Sequence, residues 1–452
     1  MAQAVRASLA QIEDVIQTQM ERWSVPGLAV GIFNNAETET GAYGIASIET
    51  EHPLTPETLL QVGSISKVFT TTLLMTVVED GKIDLDMPIL TYVPDLPLAD
   101  ETTRQTITAR HLVTHMSGFY GDRFEDQGPG DDALAKAVAA FGELRQQTAP
   151  GELWTYCNAG FDLVGRAIEL ALGIGFEQAM RERVFAPLGM ERTTYFASEA
   201  IRHAVSVGHV QAPGEDIKIA DPWPLPRRSN PAGGISSTVG ELLRFARCHM
   251  NDGELDGERV ISGKSAQEMR AFQATAEPGR EWGLGWSRRT LDGVLIAEHT
   301  GSTNGFTARL TIVPERNFAI AVLTNADRGS MVHTKIVEAA LDRSFGLRQD
   351  QPATVEVDPN LLAKYAGIYK QDLSEITLTV DNGGLHVERV NTNPFSLETT
   401  HLEPLRFVAI SETSFVVQDG IAEGNPADFI LNPDGSIRFL RFSGRLAYPV
   451  EE

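Results

Sequence analysis

Apolar residues at Val5, Leu9, Ile12, Ile16 and Met20 recur at steps of three and four, which predicts an amphipathic helix closing near Trp23. The period then changes. Pro26-Gly27 leads into an apolar run over 28–33, Asn34-Asn35-Ala36 turns, and a second extended run reaches Tyr43, so a hairpin is expected. Comparable strands return only far downstream, over 283–286, 293–296, 306–313 and 318–323, and an apolar-stepped helix over 331–345 follows them. The intervening patterns are mostly helical, including 67–80 stopped by Gly81 and 161–172 stopped by Gly173. The economical reading is an α+β fold: an antiparallel sheet built from both ends of residues 1–345, flanked by helices, with a helical insertion over about 80–200.

Residues 346–360 are polar, contain Pro352 and Pro359, and read as a linker. Beyond them the period is two. Residues 376–380 alternate, Asp381-Asn382-Gly383-Gly384 turns, and Leu385 and Val387 resume; Pro433-Asp434-Gly435 makes another hairpin turn. A small all-β domain, a barrel or sandwich, is expected over 361–452.

Charge narrows the partners. The 38 basic and 61 acidic residues give a net charge of -23, which repels phosphate backbones and anionic headgroups, so neither nucleic acid nor membrane is an expected partner. Cys157 and Cys248 are too few for a disulfide framework, the N-terminus lacks the apolar core of a signal peptide, and a cytoplasmic protein is expected. The ten histidines form no His-Glu-x-x-His, and no metal or other cofactor is expected. His111 and His115, four apart on an expected helix, are assigned a structural role, and the acidic stretch from Asp122 to Asp126 a solvated loop.

The candidate chemistry lies in three short motifs. In Gly63-Ser64-Ile65-Ser66-Lys67, Ser64 opens a helix and Lys67 follows one turn later on the same face, placing an amine beside a hydroxyl. Alone this pattern reads equally as a helix cap with a solvated lysine. Tyr156-Cys157-Asn158 precedes the 161–172 helix, where a buried tyrosine and a capping asparagine would be the plain alternative. His299-Thr300-Gly301-Ser302 ends the strand that starts near 293, and its glycine lets a substrate approach the backbone. Each pattern occurs once in the chain, in this order and on the appropriate element.

This conjunction resembles the serine β-lactamase and penicillin-binding-protein superfamily, in its class C-like branch of β-lactamases, D-peptidases, D-aminopeptidases and esterases. The resemblance covers about residues 5–345 and extends to Val25-Pro26-Gly27-Leu28, to residues 111–118 and to Pro231-Ala232-Gly233-Gly234. It implies that Ser64 attacks, that Lys67 and Tyr156 share the base and acid roles, and that Asn158 hydrogen-bonds Lys67 and the substrate amide. The backbone N–H groups of Ser64 and Ser302 would form an oxyanion hole, with His299, Thr300 and Gly301 along the substrate edge. Two departures stand out. Cys157 replaces a frequent serine, and His299 replaces the lysine of most β-lactamases, removing a fixed cation for a drug carboxylate. The expected activity is cleavage of amides or esters of small acyl or peptide substrates. An acylation sensor with slow deacylation is the alternative, and oligomeric state is left open.

Overall fold

The computed structural model describes residues 8–393 and 398–450. In chain order the strands of the main sheet are β1 (Gly27–Asn34), β2 (Glu37–Gly44), β3 (Ala274–Glu277), β4 (Arg280–Trp282), β5 (Ser287–Leu291), β6 (Val294–Thr303), β7 (Phe306–Val313) and β8 (Phe318–Thr324). They form one antiparallel sheet in the order β2-β1-β8-β7-β6-β5-β4-β3. The two ends of the domain meet where β1 pairs with β8, from Leu28 opposite Thr324 to Asn34 opposite Phe318. Helices that carry much of the packing are α1 (Glu13–Trp23), α2 (Ser66–Glu79), α3 (Ala159–Leu172), α4 (Val239–Met250), α5 (Gly329–Phe345) and α6 (Pro359–Tyr365).

Successive side chains on a strand point to opposite faces, and here both faces are covered. Leu28, Val30 and Ile32 join Phe318, Ile320 and Val322 beneath α1 and α5, whereas Ala29, Phe33, Ala319, Ala321 and Leu323 face the inserted helices. That double cover explains why these strands read as unbroken apolar runs. Gly31 supplies clearance: a Cβ there would sit 2.9 Å from a Leu243 methyl of α4.

Three expectations need correction. Residues 283–286 are a tight turn between β4 and β5, with Gly285 at φ +75° and no room for a Cβ beside the Thr71 hydroxyl. The short polar strands β3, β4 and β5, which lack a clear alternation, complete the sheet instead. The first helix is interrupted at Ile12, where a short 3₁₀ turn (Leu9–Gln11) passes into α1; Val5 lies outside the described residues.

The tail strands are β9 (Gly367–Lys370), β10 (Ser374–Asp381), β11 (Gly384–Thr392), β12 (Thr399–His401), β13 (Leu405–Ala409), β14 (Ser414–Val417), β15 (Pro426–Leu431), β16 (Ile437–Phe442) and β17 (Arg445–Pro449). They run β10-β9-β17-β16-β15-β14-β13-β11, and β10 pairs back to β11, closing an all-β barrel with β12 appended to β11. The barrel has its own core. Leu362 and Tyr365 of α6 plug it, and the Tyr365 ring stacks on Phe429 at 3.9 Å.

Because the barrel core shares no residue with the cores of the sheet domain, a chain ending after Gln351 is expected to fold by itself. It retains the α5 cap at Gly346 and the packed Leu347. Circular dichroism should show one cooperative thermal transition; an insoluble product beside a soluble full-length control would mean that the two parts fold as one.

Candidate active site

The helix behind Ser64 is buried along nearly its whole length. Val68, Phe69, Leu73, Leu74 and Val77 of α2 are all buried, and Lys67 is its one buried charge. Strand pairing of Leu60–Gln61 with Ser236–Ser237 leads the chain into a 3₁₀ turn, Gly63–Ile65, that launches α2 and sets Ser64 at its start. Lys67 is completely enclosed, and its Nζ donates to Ser64 Oγ at 3.0 Å, Asn158 Oδ1 at 2.7 Å and the Ala232 carbonyl at 2.6 Å. An ammonium has three protons, and three oxygens take them. Burial pulls the amine from 10.5 to about 7; the Asp122 carboxylate opposes that shift and the Arg445 guanidinium adds to it.

Asn158 stands at the N-cap of α3, yet its side chain caps nothing there. Its Oδ1 accepts from Lys67, and its Nδ2 donates to Asp122 Oδ1 at 2.6 Å. The acidic loop is therefore not simply solvated: Asp122 is inside the site, its side chain only 5% exposed. Tyr156 lies with its ring 5.0 Å from Lys67 Nζ. Burial raises its phenol well above 10, while the Ser64 hydroxyl beside it acts in the opposite direction. Cys157 is turned into the packing, its Sγ accepting the Gly160 N–H at 3.4 Å, and burial pushes its thiol up to about 12.

His115 backs the tyrosine. It lies beyond the short helix Ala109–Val113 rather than on it, at φ +59°, so it and His111 do not share a helix face. Its ring stacks on Tyr156 at 4.2 Å, and its Nδ1 accepts the Cys157 N–H at 3.1 Å, which puts the ring proton on Nε2. Enclosure keeps this imidazole neutral, far below 6.5.

The third motif forms the opposite wall. β6 pairs with β7 out to Thr303, but its pairing with β5 stops at Glu298, so residues 299–303 present an edge free of β5. His299 and Gly301 face the Ser64 turn; Thr300 and Ser302 are exposed. The close approach is backbone against backbone. A Cβ on Gly301 would lie 1.9 Å from the Val62 carbonyl and 2.9 Å from the Ser64 nitrogen, and one on Gly63 2.6 Å from the Ser302 nitrogen. His299 is buried beside Trp282 and Tyr156, its Nδ1 2.6 Å from the Thr300 carbonyl, and burial with the nearby Lys67 pulls it to about 3. No cation stands at this position at neutral pH.

The β-lactamase family model matches residues 12–343, which takes in every motif of this site. The chain belongs to that family. Penicillin-binding protein 4 of Amycolatopsis lactamdurans is 33% identical over 362 residues, covering 77% of this chain and 94% of its own. Among solved structures, SurE with D-Leu superposes with a TM-score of 0.72 at 23% identity, over 98% of this chain and 100% of its own. A D-amino acid amidase from Ochrobactrum anthropi SV3, complexed with L-phenylalanine amide, gives 0.61 at 23% identity over 74% of this chain and 98% of its own. The fold likeness to SurE thus takes in the barrel as well as the β-lactamase-like domain.

Motif reading finds Ser64, Lys67, Tyr156, Asn158, His299, Thr300, Gly301 and Ser302, and the fold gathers them, Thr300 with its side chain turned outward. It misses Asp122, whose signal is buried in a run of acidic residues, and Arg445, which comes from the far end of the chain and lies in no motif.

Replacing Gly301 by alanine should force β6 away from the Ser64 turn and displace the Ser302 N–H. Loss of one such donor costs about 10² to 10³ in kcat. An unchanged rate of hydrolysis of an activated ester, in a Gly301→Ala protein of undiminished Tm, would place the reacting oxygen elsewhere.

Proposed function

We propose that this serine hydrolase forms an acyl-enzyme on Ser64 and cleaves amide or ester bonds of small acyl or peptide substrates, with D-amino acid derivatives as the favoured class. The observation that carries the reading is the enclosed Lys67 amine, 3.0 Å from the Ser64 hydroxyl and poised near neutrality. Neutral Lys67 takes the Ser64 proton as Oγ attacks the carbonyl carbon, and the Ser64 and Ser302 N–H groups receive the oxyanion. Tyr156, still protonated, gives its proton to the departing amine or alkoxide and recovers one from Lys67. Water then attacks the acyl-enzyme by the reverse relay, losing a proton to this pair and returning Ser64 with its own.

The D-configured preference is supported by the structure of SurE with D-Leu and by the name of the amidase. Neutral His299 argues against dependence on a substrate carboxylate at that edge, and hence against β-lactams as the main substrates. The name of the 33% identical relative supports a second reading, a sensor acylated faster than it is released. Burst kinetics with a chromogenic ester separate the two: a stoichiometric burst without turnover indicates the sensor.

Ser64→Ala should abolish turnover and fluorophosphonate labelling, and Lys67→Ala and Tyr156→Phe should each lose at least ~100-fold in kcat/KM. Labelling at another serine would overturn the assignment. Because the base acts unprotonated, kcat/KM should rise with pH through about 7, where Lys67 loses its proton; a limb far below that pH would exclude Lys67 as the base. A panel of p-nitroanilides and esters in both L and D series tests the substrate class, and equal rates for the two series would remove the D preference.

A further inference from the structure

The barrel reaches the nucleophile through one unbroken chain of contacts. Arg445, the first residue of β17, pairs with Asp122 through Nε and again through a terminal nitrogen at 3.2 Å to Oδ1. Asp122 Oδ1 accepts from Asn158, Asn158 Oδ1 accepts from Lys67, and Lys67 donates to Ser64. The guanidinium also lies 5.1 Å from the centre of the Tyr156 ring.

The tip that presents Arg445 is held on both sides. Between β16 and β17, Ser443 and Gly444 take positive φ, the Gly444 carbonyl accepts the Tyr156 N–H at 2.8 Å, and the Gly444 N–H donates to Glu277 at 2.8 Å. Gly444 stands at φ +77°, a conformation that favours glycine, and packs against the Trp154 ring.

Resting on the acyl-enzyme reading above, the geometry points to Arg445 as a positioning residue: the barrel delivers a cation that offsets Asp122 and, through it, fixes the Asn158 amide with its oxygen toward Lys67. An asparagine amide can present either end to a neighbour. Asp122, an acceptor, takes the Nδ2 end and leaves Oδ1 for the lysine. Without the arginine, the same carboxylate would stand uncompensated near Lys67 and hold a proton on it.

Other groups around Lys67 supply no substitute. Asp162 on α3 is held by the buried Arg228, which also pairs with Glu125; Cys157 is a protonated thiol, Tyr156 a protonated phenol, and His115 and His299 are neutral. Arg445 is thus the cation set against Asp122.

The test uses the full-length chain and the pH dependence of the rate at which a neutral fluorophosphonate labels Ser64, with the adduct located by mass spectrometry. A neutral probe makes no demand on a carboxylate-binding group. Arg445→Gln should move the acid limb upward by about 1 pH unit, with the rate recovering at high pH, and Arg445→Lys should restore most of the shift. Asp122→Asn should move the limb down, and the double variant should return it toward wild type. A limb that stays in place in Arg445→Gln while the rate falls equally at every pH would reduce Arg445 to an interdomain tie and overturn the proposal. If Arg445→Gln does not fold, Asp122→Asn decides alone, and an unmoved limb there has the same force. Failure of the wild-type chain to label at Ser64 would instead overturn the acyl-enzyme reading beneath it.

Discussion

The site depends on a primary amine enclosed at the start of a buried helix. A charged ammonium in such surroundings is expensive, and the protein lowers that expense in two ways: it brings Lys67 near neutrality, and it supplies an oxygen for each proton the nitrogen carries. Those three oxygens come from the start of α2, the start of α3 and the Ala232 segment, so satisfying one nitrogen also fixes how three parts of the fold meet. Thr70 of α2 strengthens the same junction by donating to the Pro231 carbonyl.

The proposed oxyanion site is built differently, by omission of side chains. Gly63 and Gly301 face each other across the Ser64 turn, and either Cβ would overlap the opposite backbone. Sheet register fixes β6 there from behind, through pairs such as Gly301 with Ala308 and Ser302 with Thr307 on β7. In the proposed acyl-enzyme mechanism, Ser64 would thus owe its base to burial and its oxyanion donors to the absence of two methyl groups.

Local patterns made much of this legible. The unbroken apolar runs 28–33 and 318–323 were readable as strands because both sheet faces are covered, 306–313 alternates with Thr307, Arg309 and Thr311, and helix stops at Gly81 and Gly173 stood in the sequence. The Ser64, Tyr156 and His299 motifs were readable because each is contiguous. Polar edge strands such as β4 offered no such period, and a Gly-Leu-Gly-Trp turn passed for a strand because its apolar residues pack into the core. Asp122 and Arg445 were illegible for a different reason. Their role arises from a contact spanning more than three hundred residues, and a carboxylate in an acidic loop looks solvated until its partner is brought to it.

That contact bears on why burial governs Lys67. Two carboxylates raise its proton affinity, Asp122 and Asp162, and each is held by a guanidinium, Arg445 in one case and Arg228 in the other. The paired charges largely cancel at the amine, and desolvation remains as the leading influence. A lysine at position 299 would place another cation against the same nitrogen, since Lys67 already lowers the proton affinity of the histidine there. With a neutral imidazole in that place, the balance at Lys67 can be set by one pair inside the helical region and one pair that exists only when the barrel is docked. The site of this hydrolase is therefore an interdomain structure, although all its contiguous motifs lie in one domain.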